Sequence, residues 1–173
     1  MDINKSKVVA YAGSGNGLAA TSDLEAGDAI IEIVDPYVVV VEKASLGKVC
    51  SQCLLETKDL KKCAKCKVAR YCSTSCQTED WRSMHKLECP ALRKMPDVPP
   101  TPVRALMQIL LTHKFGAAPD PRWKDLTSNQ QAFSKTSRWQ DIVLQATAAS
   151  KFAKYPSDAA SMNLAVGVLC RVS

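Results

Sequence analysis

Cysteine and histidine pairs crowd the middle of the chain. Residues 50–89 contain seven of the eight cysteines and one of the two histidines. Two thiolates two or three residues apart can reach one ion from a tight turn, and residues at i and i+4 share a helix face. Eight such donors predict two closed four-coordinate sites, for which zinc is the natural ion. The donors are Cys50, Cys53, Cys63, Cys66, Cys72, Cys76, His85 and Cys89.

An even number of cysteines is also typical of a disulfide framework. The first ten residues, MDINKSKVVA, lack the apolar core of a secretory signal. Thiols at ligand spacing favour a reducing compartment over an oxidising one. We therefore expect zinc sites rather than disulfides, and a location in the nucleus or cytoplasm. No apolar run is long enough to predict a membrane span.

The residues between the ligands resemble one family of zinc fingers. The string CSQC…CAKC…RYCSTSCQTEDW…HKLEC is similar to the MYND finger, notably in its RYC, CQ and DW. Spacing alone leaves open which ligand pairs share an ion, whereas the resemblance implies an interleaved arrangement. One zinc is then held by Cys50, Cys53, Cys72 and Cys76, and the other by Cys63, Cys66, His85 and Cys89.

A helix is predicted from about residue 73 to 88, ended by Pro90. Trp81 and His85 are i,i+4 neighbours on it. Eight residues separate Cys76 from His85, one more than is usual in the family. We expect a longer first turn of the helix to absorb the extra residue.

The same resemblance implies a function for the finger. MYND fingers recognise proline-rich peptides of partner proteins, in a groove where an aromatic face stacks on proline rings. By motif match Gln77 and Trp81 line this groove, Gln77 offering an amide and Trp81 a flat apolar wall. The alternative is that Trp81 only packs the small core of the finger, and a half-buried tryptophan can do both.

Basic residues dominate the finger. The chain has a formal net charge of +6, and residues 43–94 contain twelve Lys or Arg against five Asp or Glu. Zinc-bound thiolates reduce that surplus to roughly +4. A solvated basic face is the simplest interpretation and DNA binding is the alternative, although the interleaved aromatic residues that favour nucleic acid are missing.

The N-terminal residues predict a small antiparallel β unit. Strands are expected at residues 8–11 and 18–21, on either side of glycine-rich residues 13–17. Two more are expected at residues 29–34 and 37–41 because of their β-branched content.

The string GSGNGLAATSDLEAGDAIIEI in this segment resembles the opening of a SET domain. A MYND finger shortly after it resembles the SET-and-MYND protein-lysine methyltransferases. The resemblance implies a glycine loop that contacts S-adenosylmethionine, with Gly15, Asn16 and Gly17 at the matching positions. The basic residues of the family loop are replaced here by Ser14 and Asn16, so two charge contacts to the cofactor are missing.

Residues 96–173 predict three helices. Thr101 is expected to cap the first, with Pro102 at its first position, a capping box at Ser137 begins the second, and Ser157 caps the last. Cys170 is expected to be an inert core thiol and His113 a surface residue rather than a ligand. The predicted apolar faces comprise Val103, Leu106, Met107, Leu110 and Leu111; Trp139, Ile142, Val143, Ala146 and Ala149; and Met162, Ala165, Val166, Leu169 and Cys170.

These features together predict an α+β protein with three regions. Residues 1–44 form the N-terminal β part of a SET domain, 45–95 the inserted two-zinc MYND finger, and 96–173 a helical insert. No Asn-His pair occurs in the sequence, so the Asn-His-Ser-Cys motif that binds the cofactor in the family is missing, and no catalytic residue is assigned.

We therefore predict a truncated or partial SET-and-MYND protein that acts through its peptide-binding finger. The alternative is S-adenosylmethionine-dependent methylation of lysine in histones or other proteins, which the resemblance implies for a complete protein.

Overall fold

The computed structural model of the protein describes residues 5–13, 15–31, 36–115 and 126–172. The chain divides into two compact units, Met1–Tyr37 and Val38–Ser173. The zinc-finger residues and the C-terminal helices lie together in the second unit. Helices combined with small antiparallel sheets confirm the α+β class.

The first unit is built on a β-hairpin. Strand β1 (Ser6–Tyr11) pairs antiparallel with β2 (Gly15–Ala20), so that Tyr11 lies opposite Gly15 and Val9 opposite Gly17. A Cβ atom on Gly17 would lie 2.9 Å from the Tyr11 ring, so this glycine makes room for the tyrosine. The sequence predicted that this strand starts after the glycine-rich residues, at residue 18. Strand β2 instead begins within them, at Gly15.

Neither of the two further strands expected in this region is formed by the residues that the structure describes. Residues 29–31 and 37–41 are irregular, and residues 32–34 of the first expected strand lie outside the described residues. One backbone bond runs from the Lys5 N–H to the Ile30 carbonyl oxygen, at 3.0 Å. Propensity for β structure reflects packing against neighbouring strands, and the described part of these residues pairs with none.

The finger begins with a two-residue ladder and continues as one long helical run. Strands β3 (Lys61–Lys62) and β4 (Arg70–Tyr71) pair antiparallel. Helix α1 (Thr74–Asp80) then leads through a π-helical turn (Trp81–His85) into α2 (Lys86–Leu92). The Ser73 hydroxyl caps α1 by accepting a hydrogen bond from the Cys76 N–H, at 3.1 Å.

The predicted helix is confirmed, but Pro90 does not end it. Helix α2 contains Pro90 and continues to Leu92. Proline has no N–H and so cannot bond the carbonyl oxygen four residues before it. The next turn is still closed, because the Arg93 N–H donates to the Cys89 carbonyl oxygen at 3.0 Å. The helix thus ends two residues after the proline.

Four more helices complete the second unit: α3 (Thr101–Lys114), α4 (Gln130–Phe133), α5 (Arg138–Ala153) and α6 (Ala159–Val172). Helix α3 packs against α5 and α6, while α2 packs against α3 and α5. The three predicted apolar faces lie in the shared core. The last helix is therefore covered by helices that precede it in the chain.

Three predicted helix caps are wrong. Thr101 is the first residue of α3 and not its cap, because the cap position is taken by Pro100 and no side chain makes a capping bond there. Ser137 has helical backbone angles and makes no side-chain capping bond, whereas a capping side chain needs an extended backbone at that position. Helix α6 is capped by Asp158 instead of Ser157, because the Asp158 carboxylate accepts a hydrogen bond from the Ser161 N–H at 3.0 Å.

The predicted burial of Cys170 and the predicted exposure of His113 are both confirmed. Cys170 is buried on α6, where burial raises the pKa of its thiol. His113 is exposed at the end of α3, with its Nδ1 2.7 Å from the Tyr155 hydroxyl.

Across the described ranges of the chain, no helix combines the length and apolarity that a membrane crossing requires.

Truncation of a leucine should reduce the free energy of unfolding more at a buried helical position than at an exposed one. Leu110 on α3 is fully buried, whereas Leu144 on α5 is 68% exposed. We expect Leu110→Ala to lower the free energy of unfolding by about 2–5 kcal/mol, because it removes packed methyl groups and leaves a cavity. Urea denaturation followed by circular dichroism measures this. Leu144→Ala is the matched control, and an equal loss in both variants would contradict the assigned core.

Candidate metal centre

Two equivalent turns carry the first two cysteine pairs. In each turn the residue after the second cysteine has a left-handed backbone, with φ 61° at Leu54 and 62° at Lys67. The N–H of that residue donates back to the first cysteine's carbonyl oxygen, at 3.1 Å for Leu54 and 3.0 Å for Lys67. The repeated turn presents the two sulfurs of each pair to the same side.

The first group of donors joins a turn to the start of α1. The ligand atoms of Cys50, Cys53, Cys72 and Cys76 all lie within 4.8 Å of one another. The Sγ atoms of Cys53 and Cys72 are 3.7 Å apart, and those of Cys72 and Cys76 are 3.5 Å apart. We call this group site 1.

The second group joins the other turn to the end of the helical run. The ligand atoms of Cys63, Cys66, His85 and Cys89 also lie within 4.8 Å of one another. The Sγ atoms of Cys63 and Cys89 are 3.9 Å apart, and His85 Nε2 is 3.5 Å from Cys66 Sγ. We call this group site 2. The structure thus forms the interleaved grouping and not the sequential one.

Both donor sets fit structural zinc. A tetrahedral ion with Zn–S bonds of about 2.3 Å separates its sulfurs by about 3.8 Å, close to the spacings in the two sites. A disulfide needs about 2.05 Å between sulfurs, and all eight cysteines are free. The disulfide alternative is therefore wrong, and the protein has two closed sites suited to zinc.

Backbone donors favour a thiolate in each site. Burial alone would raise the pKa of Cys50, but the backbone N–H groups of Cys53 and Cys72 outweigh it and lower the pKa to about 6. Burial likewise opposes ionisation of Cys63, where the Cys66 backbone and the His85 side chain lower the pKa to about 6. Zinc binds the thiolate form, so these turns prepare the sulfurs for the metal.

The two sites differ in their access to solvent. All four donors of site 2 are buried, whereas Cys53 and Cys72 of site 1 are exposed. Site 1 therefore lies at the surface of the finger and site 2 inside the unit.

A buried carboxylate that sequence reasoning missed lies beside site 2. Glu88 is 1% exposed, and its Oε1 lies 3.0 Å from His85 Nδ1. Arg104 and Gln108 reach the same carboxylate from α3. A signal was present, because Glu88 is three residues after a ligand and Arg104 and Gln108 are i,i+4 polar residues on an otherwise apolar helix face.

The network keeps Glu88 ionised. Its burial would raise the pKa, but the hydrogen bond from His85 and the positive charge of Arg104 outweigh this effect and lower the pKa to about 2. Glu88 is therefore a buried negative charge directly behind a zinc ligand.

The extra residue between Cys76 and His85 is absorbed by the π-helical turn, and not by the first turn of the helix. Helix α1 begins with regular geometry, and the wide turn spans Trp81–His85. A π-bulge inserts one residue into a helix while keeping the flanking segments in place. His85 can thus face Cys66 although one more residue precedes it.

The two residues predicted to bind peptide lie on this helical run. Gln77 is exposed and Trp81 is half-buried. The Trp81 ring meets the His85 ring edge to face at 5.9 Å between centroids, and Lys65 Nζ lies 4.8 Å over the Trp81 ring. Trp81 therefore packs against the predicted zinc ligand His85 and also has a lysine over its ring.

The predicted cofactor contacts lie in the other unit. Gly15, Asn16 and Gly17 are the first three residues of β2. They are paired with Tyr11, Ala10 and Val9 of β1 in that order.

Comparison with known proteins agrees with this geometry. The family model described as "MYND finger" matches residues 50–89, so the centre of the molecule is a MYND-type zinc finger. Human "Histone-lysine N-methyltransferase SMYD3" is 37% identical over 134 residues, which are 75% of this chain and 31% of that protein. "SET domain and MYND-type zinc finger protein 6" of Schizosaccharomyces pombe is 36% identical over 143 residues, 80% of this chain and 28% of that protein.

A third relative is "N-lysine methyltransferase SMYD2-A" of Danio rerio, 35% identical over 117 residues, 66% of this chain and 26% of that protein. The chain therefore belongs to the SET-and-MYND family. It spans less than a third of the length of these three relatives.

Chelation should release the two zinc ions in two phases. We expect the exposed thiols of site 1 to exchange first and the buried donors of site 2 more slowly, because a chelator must reach the ligands. A chromogenic chelator in excess measures both rates. Cys72→Ala should abolish the fast phase. Cys170→Ala is the matched control and should keep two ions per chain; release of both ions in a single phase would contradict the difference in access.

Deleting one residue of the wide turn should leave both sites intact. Removal of Ser83, an exposed residue of the turn, converts the π-bulge to regular α-helix while the flanking ligands keep their places. We expect two zinc ions per chain by elemental analysis. Deletion of the exposed Lys86 is the control. It brings His85 and Cys89 out of i,i+4 register, so the protein should lose the zinc ion of site 2. Loss of zinc on deletion of Ser83 would contradict the bulge.

Proposed function

We propose that the finger is a docking module for proline-containing segments of partner proteins, with Gln77 and Trp81 as its contacts. The observation that carries the proposal is the position of Trp81, half-buried on a helix that also presents the exposed Gln77 four residues earlier. A flat aromatic wall beside an amide suits a polyproline II segment, whose rings stack and whose carbonyl oxygens accept hydrogen bonds.

The setting of Trp81 supports a rigid contact surface. Its ring packs on His85, whose other contacts fix it within site 2. A preorganised aromatic side chain loses little conformational entropy when a ligand binds. Binding of zinc thus prepares the surface that would receive the peptide.

The charge around Trp81 favours an acidic residue near the prolines. Lys65 Nζ lies over the ring, and its ammonium group has no carboxylate partner among the ion pairs of the described residues. An Asp or Glu in the partner would draw Lys65 off the ring and pair with it, which exposes the ring to proline.

Metal ligation completes this proposal. Site 1, from Cys50, Cys53, Cys72 and Cys76, and site 2, from Cys63, Cys66, His85 and Cys89, would each hold one structural zinc. In the wider chain we propose residues 1–44 as the N-terminal β part of a SET domain, 45–95 as the finger and 96–173 as the helical insert, in a protein of the nucleus or cytoplasm.

Lysine methylation is the second candidate, for a complete protein. The names of the relatives from human and Danio rerio carry this activity, and SET-domain resemblance assigns S-adenosylmethionine to Gly15, Asn16 and Gly17. Lysine-bearing proteins such as histones would then be the substrates. DNA binding has less support, because Tyr71 is buried and Trp81, the other aromatic residue of 50–89, faces Lys65.

Peptide binding can be tested by fluorescence polarisation with a labelled peptide that contains two prolines and a flanking glutamate. We expect Gln77→Ala and Trp81→Ala to weaken binding at least about tenfold, since each removes a contact of the docking surface. Arg82→Ala, an exposed position one residue after Trp81, is the matched control and should bind like the wild type.

The peptide carries its own control in a version with both prolines replaced by alanine. Two zinc ions per chain in every variant exclude an effect of unfolding. Equal binding of both peptides, or unchanged binding by Gln77→Ala and Trp81→Ala with zinc retained, would contradict the proposal.

A further inference from the structure

The Glu88 carboxylate makes four hydrogen bonds within the protein. Its Oε1 accepts from His85 Nδ1 at 3.0 Å and from Arg104 Nη2 at 2.6 Å. Its Oε2 accepts from Arg104 Nε at 3.1 Å and from Gln108 Nε2 at 2.9 Å. A carboxylate offers about four lone-pair sites, so this group is saturated without any water.

The bond to His85 sets the proton on one ring nitrogen. In a neutral ring, donation from Nδ1 to Glu88 leaves the lone pair on Nε2, which lies 3.5 Å from Cys66 Sγ inside site 2. An imidazole must present a lone pair to a metal, and an acceptor behind the ring fixes both tautomer and orientation.

The other three bonds come from α3. Arg104 supplies two of them as a fork, and Gln108 supplies one from the next turn of the same helix. Arg104 and Gln108 are both buried, so neither can donate to Glu88 unless α3 is packed against α2. The orientation of a zinc ligand in the finger therefore depends on a helix outside it.

The charges around site 2 also require Arg104. Three thiolates and one divalent ion leave a net negative charge, and the buried Glu88 carboxylate lies next to it. Arg104 is a buried cation that contacts both oxygens of this carboxylate. An unpaired carboxylate at this depth would be strongly destabilising.

We propose that Glu88 is a positioning residue for site 2, and that with Arg104 and Gln108 it couples zinc binding at that site to the packing of α3. The metal then stabilises the helical region as well as the finger. This inference rests on the two zinc sites and is independent of the peptide-docking proposal.

The zinc affinity of site 2 tests the positioning role. Glu88→Gln keeps the shape of the side chain but removes its charge, and should weaken zinc at site 2 by about 10- to 100-fold while site 1 is unchanged. Competition with a chelator of known affinity measures this, and cobalt substitution reports the geometry of the His-containing site by its d–d spectrum. We expect the site 2 bands to shift in Glu88→Gln.

Asp80→Asn is the matched control. Asp80 is a carboxylate on the same helical run that accepts a hydrogen bond from the Tyr71 hydroxyl at 2.7 Å, and not from a zinc ligand. It should leave the affinity and the cobalt spectrum of site 2 unchanged, whatever its effect on stability. Equal zinc loss in Asp80→Asn and Glu88→Gln, or wild-type affinity in Glu88→Gln, would overturn the positioning role.

Amide hydrogen exchange tests the coupling between site 2 and α3. It is measured on the wild-type protein, so it does not depend on whether a variant folds. As the slowly released zinc leaves, the amides of residues 101–114 should lose protection in step with it. Arg104→Lys should weaken zinc at site 2 although it is on α3, because a lysine keeps the charge but not the two-pronged contact. Full protection of α3 after the second zinc has left, or wild-type affinity in Arg104→Lys, would overturn the coupling.

Discussion

Metal coordination is the interaction on which the centre of this protein depends. Within residues 50–89, the ligands aside, only Ala69, Tyr71 and Glu88 are buried. That is far too little apolar surface to offset the entropy of ordering forty residues. Structural zinc contributes an apparent binding energy of about 10–16 kcal/mol, which becomes folding energy when the site exists only in the folded chain. The finger is therefore organised around two donor sets and not around a hydrophobic core.

The helical run of the finger is held at both ends by these sites. Cys72 and Cys76 of site 1 lie at the start of α1, and His85 closes the π-helical turn within site 2. Trp81 lies between them and packs on the His85 ring. The geometry of the candidate docking surface therefore depends on both sites. The π-helical turn accommodates the additional residue between Cys76 and His85, so that each of these ligands reaches its own site.

Site 2 has a second function in the architecture, because it lies where the finger meets the helical layer. Glu88 is in α2, and its remaining partners are in α3, the helix that packs against α5 and α6. Site 1 has exposed thiols and no comparable buried carboxylate among its contacts in the described residues. One ion thus shapes the surface of the finger, and the other connects it to the core of the unit.

Local spacing was sufficient to predict the eight donors, the helix of the finger and the apolar faces of α3, α5 and α6, because each of these depends on residues within a few positions of one another. Features that depend on partners distant in sequence were not predictable in this way. Residues 37–41 have strand propensity but no paired strand, and three of the four hydrogen bonds of Glu88 come from Arg104 and Gln108 on α3.

The sequence by itself determined which atoms are available to bind metal and which helix faces are apolar, since ligand pairs and helical periodicity are short-range properties. The interleaved sharing of the two ions, left open by spacing and implied by the family resemblance, was confirmed by the tertiary structure. Only the tertiary structure decided that one site is open and the other enclosed, and where the helix widens. Those outcomes follow from packing: a turn, a helix end and a distant helix must converge before their donors and charges can meet.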